Sequence, residues 1–129
     1  MKKFENFCKS LVNLEEIYNY KEPYNNVTLT GLVGLYEICF EQSWKAMKEI
    51  LYQNGIETAA TGSPKAIIKE AYSVQMIVDQ EVWIKALADR NNVAHAYNED
   101  IAHGIIRNTR DIYVPMFRCL KETIENNWL

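Results

Sequence analysis

The sequence predicts an all-α protein: an antiparallel bundle of four to five helices, formed by a single domain spanning residues 1–129. Apolar residues recur at spacings of three and four along most of the chain, which is the period of an α-helix. Five glycines and three prolines are few for 129 residues, whereas all-β domains need frequent Gly and Pro turns. No segment alternates convincingly between apolar and polar residues, so no strand is predicted.

The first predicted helix carries its apolar residues on one face, and these are Phe4, Phe7, Leu11, Leu14 and Tyr18. We expect it to end near Lys21-Glu22-Pro23, because the residue before a proline is disfavoured in the α conformation.

The second predicted helix, residues 27–54, is the longest, and its apolar face is wider than one neighbouring helix can cover. Such a helix is either central in a bundle or also buried against a second subunit. Asn54-Gly55 then supplies a C-terminal cap. Residues 57–62 are predicted to form a loop, after which Ser63 caps the third helix and Pro64 takes its first position.

Asp79 is a suitable N-cap for the fourth helix, QEVWIKALADR, and the doublet Asn91-Asn92 should end it. The last helix begins near Asn98, and Pro115 should kink it. The predicted core of the bundle includes Leu11, Leu35, Cys39, Met47, Leu87, Ile105 and Phe117.

Composition bears on the cellular setting and on partners. Cys8, Cys39 and Cys119 are an odd number in apolar runs, which predicts buried reduced thiols and a cytoplasmic protein. We see neither a signal peptide nor an apolar stretch long enough to span a membrane. The net charge of −3 argues against a generic nucleic-acid-binding face, and we predict neither a DNA partner nor a membrane partner. This charge leaves room for an RNA-cleaving pocket with one or two local cations.

One octet, Arg90-Asn-Asn-Val-Ala-His95-Ala-Tyr97, has the composition of a chemical site. If the helix ends at the Asn doublet, Arg90 projects from a last helical turn while His95 and Tyr97 lie in the connection that follows. A guanidinium can bind two phosphate oxygens, and an imidazole can exchange protons at neutral pH. Neither role requires a metal, and we predict no bound metal and no cofactor.

The same residues also fit a purely structural role. Arg90 is favoured in a last turn by the helix dipole, His95 could be buried and hydrogen-bonded, and Tyr97 could be a core aromatic. Elsewhere, His103 is predicted to serve surface or helix packing. Glu41 on the long helix is predicted first to form a solvated pair at spacing four, with a role in a groove as the alternative.

Three segments resemble the HEPN superfamily, specifically its nucleotidyltransferase substrate-binding proteins and HepT-like toxins. They are YEICFEQSWKAMKEIL at residues 36–51, GSPKAIIKEAY at residues 62–72 and VWIKALADRNNVAHAYNEDIA at residues 82–102. The match includes the extended motif R-x-x-x-x-H-x-Y, with Arg90, His95 and Tyr97 in register.

The resemblance implies a helical homodimer that places two such motifs against one another, and a minimal nucleotidyltransferase partner encoded nearby. Many relatives are metal-independent endoribonucleases, and in toxin–antitoxin pairs the partner attaches AMP to the tyrosine. Carried over, Arg90 would stabilise the phosphate and His95 would transfer protons. Asn91 would orient a neighbour, and Tyr97 would be the modified hydroxyl.

Two functional hypotheses follow. In the first, the protein is a HepT-like ribonuclease toxin whose product carries a 2′,3′-cyclic phosphate and whose activity is inhibited by AMP attachment to Tyr97. In the second, it is a non-catalytic subunit that completes the substrate pocket of a two-component nucleotidyltransferase. Fold analogy alone does not decide between them.

Overall fold

A computed structural model describes residues 2–129. These residues contain no β-strand, so the all-helical prediction is confirmed. The α-helical segments are α1 (Lys2–Leu14), α2 (Asn26–Gln53), α3 (Pro64–Ser73), α4 (Gln80–Asn91), α5 (Glu99–Asn108) and α6 (Val114–Asn127).

The α1 segment is shorter than predicted. It ends at Leu14 and continues as a 3₁₀ turn, Glu15–Asn19, before the chain becomes extended at Tyr20. Tyr18 therefore leaves the apolar face and is 40% exposed, with its hydroxyl donating to the carbonyl of Arg110 at 2.7 Å. The start of α1 lies near the end of α2, since the backbone N–H of Lys3 donates to Glu49 Oε1 at 3.3 Å. The two helices are thus antiparallel.

The long helix α2 is central in the bundle, because α1, α3, α4 and α5 all pack against it. This position accounts for its wide apolar face within one chain, so the width of that face is no evidence for a second subunit. Both ends of α2 are capped by local sequence. Asn25 Oδ1 accepts from the N–H of Thr28 at 2.8 Å, and Gly55 follows the last turn with φ of +90°.

The connection between α2 and α3 is more regular than the predicted loop. Residues Glu57–Thr61 form a 3₁₀ turn, and Ala59 within it is fully buried. Helix α3 begins as predicted: the Ser63 hydroxyl accepts from the N–H of Ala66 at 3.2 Å, and Pro64 takes the first position.

The caps of α4 also follow the sequence. Asp79 Oδ1 accepts from the N–H of Val82 at 3.2 Å, and the helix ends at Asn91 with Asn92 as its cap. The predicted break at the Asn doublet is therefore confirmed, and it separates Arg90 from the connection that carries His95.

The α5 and α6 segments form one continuous helix through a π-helical turn, Thr109–Tyr113; we call the whole element the fifth helix. Pro115 comes just after this turn. Proline lacks the N–H that an α-helix would use there, and its ring clashes with the carbonyl four residues earlier. The wider π turn is the irregularity that accompanies this proline.

The fifth helix packs antiparallel to both α1 and α4. Its later part contacts the start of α1 through Phe7 and Phe117, whose ring centroids are 6.0 Å apart. Its earlier part lies near the end of α4, where Asp89 contacts Asn108. The ring centroids of Trp83, in the first half of α4, and Phe117 are 5.7 Å apart, as the antiparallel arrangement requires.

Most of the predicted core is confirmed: Leu11, Cys39, Met47, Ile105 and Phe117 are all buried. The prediction is wrong for Leu35 and Leu87, which are only partly buried at the edge of the core.

Cys119 is exposed and Cys8 is half-buried, so the expectation of three buried thiols holds only for Cys39. Burial raises the pKa of Cys39 to about 12. No helix among residues 2–129 is long and apolar enough to cross a membrane.

Candidate functional site

The Arg90 side chain extends from the last turn of α4 towards α2. Its Nη2 contacts Glu41 Oε1 in an ion pair, and its Nη1 donates to Asn91 Oδ1 at 3.1 Å. The Arg90 side chain is 28% exposed. The guanidinium is therefore oriented by two neighbours while part of it still faces solvent.

Glu41 was not predicted to have this partner. The sequence suggested a solvated pair at helical spacing, whereas Glu41 bridges two helices and is held from a second side by Trp44. The Trp44 Nε1–H donates to Glu41 Oε2 at 3.2 Å. The spacing of Trp44 and Glu41 is visible in the sequence, but the contact with Arg90 arises only when α2 and α4 pack together.

The end of α4 is attached to the fifth helix through Asp89. Its Oδ2 accepts from the Tyr113 hydroxyl at 2.5 Å and from Asn108 Nδ2 at 3.0 Å. The Tyr113 ring stacks on Tyr36 with centroids 5.1 Å apart, and the Tyr36 hydroxyl donates to the carbonyl of Ala86 in α4. No motif in the sequence indicated this group.

Burial keeps both tyrosine hydroxyls of this group protonated. Burial, and then the hydrogen bond to Asp89, raises the pKa of Tyr113 far above its usual value. Burial likewise raises the pKa of Tyr36. Both phenols therefore remain hydrogen-bond donors, and α4 is held by donors on two elements, α2 and the fifth helix.

His95 and Tyr97 lie in the irregular connection between α4 and α5. His95 ends a 3₁₀ turn, Val93–His95, in which its N–H donates to the carbonyl of Asn92 at 2.9 Å. Both side chains are exposed, Tyr97 by 86%. Their rings meet edge to face with centroids 6.5 Å apart. Neither ring belongs to the core, so the alternative of a buried histidine and a core tyrosine is wrong.

The four predicted site residues thus form two adjoining groups. Arg90 and Asn91 are joined by a hydrogen bond at the helix end, and His95 and Tyr97 are in ring contact in the connection. Among residues 2–129, no hydrogen bond or salt bridge links the two groups.

His103, the other histidine considered from the sequence, has the packing role that was expected of it. His103 stacks on Tyr24 with centroids 5.9 Å apart, and its Nδ1 lies 3.8 Å from Glu22 Oε1. Within residues 2–129 no cluster of three or more His, Cys, Asp or Glu side chains is arranged to hold a metal ion. The chemistry available at the site is that of a guanidinium, an imidazole and a phenolic hydroxyl.

Comparison with known proteins gives a family match over nearly the whole chain. A family model described as "Nucleotidyltransferase substrate binding protein like" matches residues 2–126. A curated relative from Haemophilus influenzae, named "Probable ribonuclease HepT", is 27% identical over 101 residues, which is 77% of this chain and 69% of the relative.

Two solved structures have a similar fold. A protein from Thermus thermophilus aligns with a TM-score of 0.73 and 27% identity, covering 95% of this chain and 98% of its own. A Haemophilus influenzae protein, described as having the fold of a substrate binding domain of a nucleotidyltransferase, aligns with a TM-score of 0.71 and 22% identity. That alignment covers 96% of this chain and 95% of the other.

Removing the Tyr113 hydroxyl should destabilise the attachment of α4 to the fifth helix. In Tyr113→Phe, Asp89 loses a charge-assisted hydrogen bond in a partly buried place, which should lower the free energy of unfolding by about 1–3 kcal/mol. Urea denaturation measures this change. The matched control is Tyr72→Phe, at a half-exposed ring on α3, which should change stability by less than about 0.5 kcal/mol. Equal effects of the two substitutions would show that the Asp89 contact contributes nothing.

Proposed function

The chain belongs to the nucleotidyltransferase substrate binding protein like family, and we propose that it is a ribonuclease toxin that works with a minimal nucleotidyltransferase. In this proposal the toxin cleaves RNA without a metal, and the transferase, encoded nearby, inhibits it by attaching AMP to Tyr97. The family match supports a transferase partner. The relative named as a probable ribonuclease supports RNA as the substrate.

The observation that carries the proposal is the exposure of His95 and Tyr97 beside the helix end that presents Arg90. A histidine and a tyrosine that served only packing would be buried, whereas both are open to solvent and in contact with each other. An RNA strand and a modifying enzyme can therefore both reach the connection.

The cleavage step uses the RNA's own 2′-hydroxyl. His95 takes the proton from that hydroxyl, and the 2′-oxygen attacks the adjacent phosphorus. The bond from phosphorus to the 5′-oxygen breaks, and the His95 imidazolium returns its proton to the leaving oxygen. The products are a 2′,3′-cyclic phosphate and a 5′-hydroxyl. Arg90 binds the phosphate oxygens and stabilises the charge that develops on them, and Asn91 orients the guanidinium through its 3.1 Å hydrogen bond.

The competing hypothesis is a passive subunit that completes the substrate pocket of the transferase. It assigns no chemistry to Arg90, His95 or Tyr97, so the two hypotheses differ in what substitution of these residues does.

A homodimer is part of the proposal, because it brings two copies of Arg90 and His95 to one cleft. Sedimentation velocity at micromolar concentration should give twice the 15.0 kDa of one chain. A standard interface buries roughly 800 Å² on each partner. A species of 15.0 kDa throughout the micromolar range would contradict the dimer.

Purified protein should cleave single-stranded RNA in the presence of EDTA. His95→Ala and Arg90→Ala should each lower the rate by a factor on the order of 10² or more, since one removes the proton-transfer group and the other the phosphate charge partner. Mass spectrometry of the fragments should identify cyclic phosphate ends.

Two matched controls accompany this assay. His103→Ala replaces the other histidine of the chain, and Arg107→Ala replaces an exposed arginine on α5. Both should retain the wild-type rate. Cleavage that requires a divalent ion, or that survives His95→Ala and Arg90→Ala together, would exclude the mechanism.

Tyr97 should accept AMP from the cognate transferase. Incubation with that enzyme and ATP should add about 329 Da for each AMP attached, and the added phosphodiester should pair with Arg90 and block the cleft. Tyr97→Phe should abolish the mass increase and leave a protein that the transferase cannot inhibit.

Tyr72→Phe is the control for this modification, because Tyr72 is also exposed but lies on α3. It should be modified like the wild type. An unchanged mass in the presence of a demonstrably active cognate transferase would favour the passive subunit.

A further inference from the structure

An open cleft of about 450 Å³ lies beside the Arg90 site. It lies between the start of α1 and the C-terminal half of α2, and we call it the lysine cleft. The side chains that matter to its chemistry are those of Lys3, Trp44, Lys45, Lys48, Glu49 and Tyr52. Its volume is within the range of about 300–1,000 Å³ that small-ligand sites occupy.

The charge of the lysine cleft is opposite to that of the protein. Three lysines line it against one carboxylate, in a chain whose net charge is −3. That carboxylate, on Glu49, accepts the backbone N–H of Lys3 at 3.3 Å. The cleft is therefore a local cationic surface, and such a surface attracts polyanions even on an acidic protein.

The cleft also contains two aromatic rings. Tyr52, at the end of α2, is 54% exposed. Trp44 is half-buried and held by its hydrogen bond to Glu41, and Lys48 Nζ lies 5.8 Å from the centroid of its ring. An exposed aromatic ring among lysines is the combination that single-stranded nucleic acids require, since bases stack on the ring while the cations bind phosphates.

A short chain of contacts joins the lysine cleft to the Arg90 site. Trp44 donates to one oxygen of Glu41, and the other oxygen of the same carboxylate contacts Arg90. Trp44, Lys45 and Lys48 therefore lie within one or two helical turns of the carboxylate that contacts Arg90, close enough for one strand to contact both places. Paired bases could not stack on Tyr52, so the chemistry selects an unpaired strand over a duplex.

We propose that the lysine cleft binds the single-stranded RNA segment adjoining the phosphodiester held at Arg90, with a base stacked on Tyr52 and backbone phosphates paired with Lys45 and Lys48. This inference rests on the proposed function for its choice of RNA as ligand. In this arrangement the cleft provides the affinity for the substrate, and Arg90 and His95 carry out the reaction.

Binding can be measured separately from cleavage. The probe is a fluorescein-labelled single-stranded RNA of about 12 nucleotides, titrated by anisotropy in EDTA against protein carrying His95→Ala to keep the RNA intact. Adding Lys45→Gln and Lys48→Gln should weaken binding by a factor on the order of ten. The slope of log Kd against the logarithm of the salt concentration should fall by roughly 1.4, because each phosphate contact on a single strand contributes about 0.7 to that slope.

The tyrosine gives a second, independent pair of variants. Tyr52→Ala should weaken binding several-fold through the loss of stacking, whereas Tyr52→Phe keeps the ring and should bind like the parent. The matched control for the lysines is the double substitution Lys65→Gln and Lys69→Gln on α3, which should leave affinity unchanged. Circular dichroism checks that each variant is folded.

The outcomes separate this inference from the proposed function. If wild-type protein cleaves RNA and the cleft variants bind RNA as the α3 control does, the inference is wrong and the ribonuclease stands. If no RNA is cleaved but binding depends on the cleft, the ribonuclease is wrong, and of the inference only the RNA-binding role of the cleft stands. Variants that lose the homodimer or the transferase while keeping RNA affinity would identify the cleft as a protein interface and overturn the inference.

Discussion

The geometry of the site depends on how the last turn of α4 is held against the fifth helix. Asp89 receives hydrogen bonds from Tyr113 and Asn108, while the next residue, Arg90, turns towards α2. Successive residues of an α-helix project about 100° apart, so fixing the direction of Asp89 also fixes that of Arg90. The connection with His95 starts directly beyond this turn and packs against both α4 and α5.

The ion pair between Arg90 and Glu41 has two opposing consequences for a site that binds phosphate. It orients the guanidinium in advance, which reduces the conformational entropy lost when a ligand binds. It also places a carboxylate where a phosphate would be repelled, so an incoming phosphate competes with Glu41 for the guanidinium. The hydrogen bond from Trp44 matters here, because it holds the second oxygen of the Glu41 carboxylate to a neighbour on the same helix, α2.

Features encoded by neighbouring residues were predictable from the sequence. The caps at Ser63 and Asp79, and the helix end at the Asn doublet, follow from the chemistry of a few adjacent residues. Helical periodicity also identified the face that each helix buries. Periodicity does not reveal how far the core extends across that face. The prediction that Leu35 and Leu87 are core residues is wrong for this reason.

The contacts that join distant parts of the chain could not be predicted in this way. Glu41 and Arg90, or Asp89 and Tyr113, meet only because whole helices pack at a particular angle and register, which local patterns do not encode. The sequence did place Arg90 and His95 correctly on either side of a helix end. Their proposed roles came from the resemblance to a family, since the spacing alone fits a structural role equally well.

The π turn at Thr109–Tyr113 has a consequence for which insertions and deletions the chain tolerates. A π turn holds one residue more than an α-helical turn, so losing a residue there would leave a helix of regular pitch with Pro115 in its interior. The rest of the helix would keep its orientation relative to α5, because the wider turn already takes up the extra residue, and Phe117 would still face the core. The cost of such a deletion would fall on Pro115, whose ring would then clash with the carbonyl four residues earlier, and not on the packing of the core.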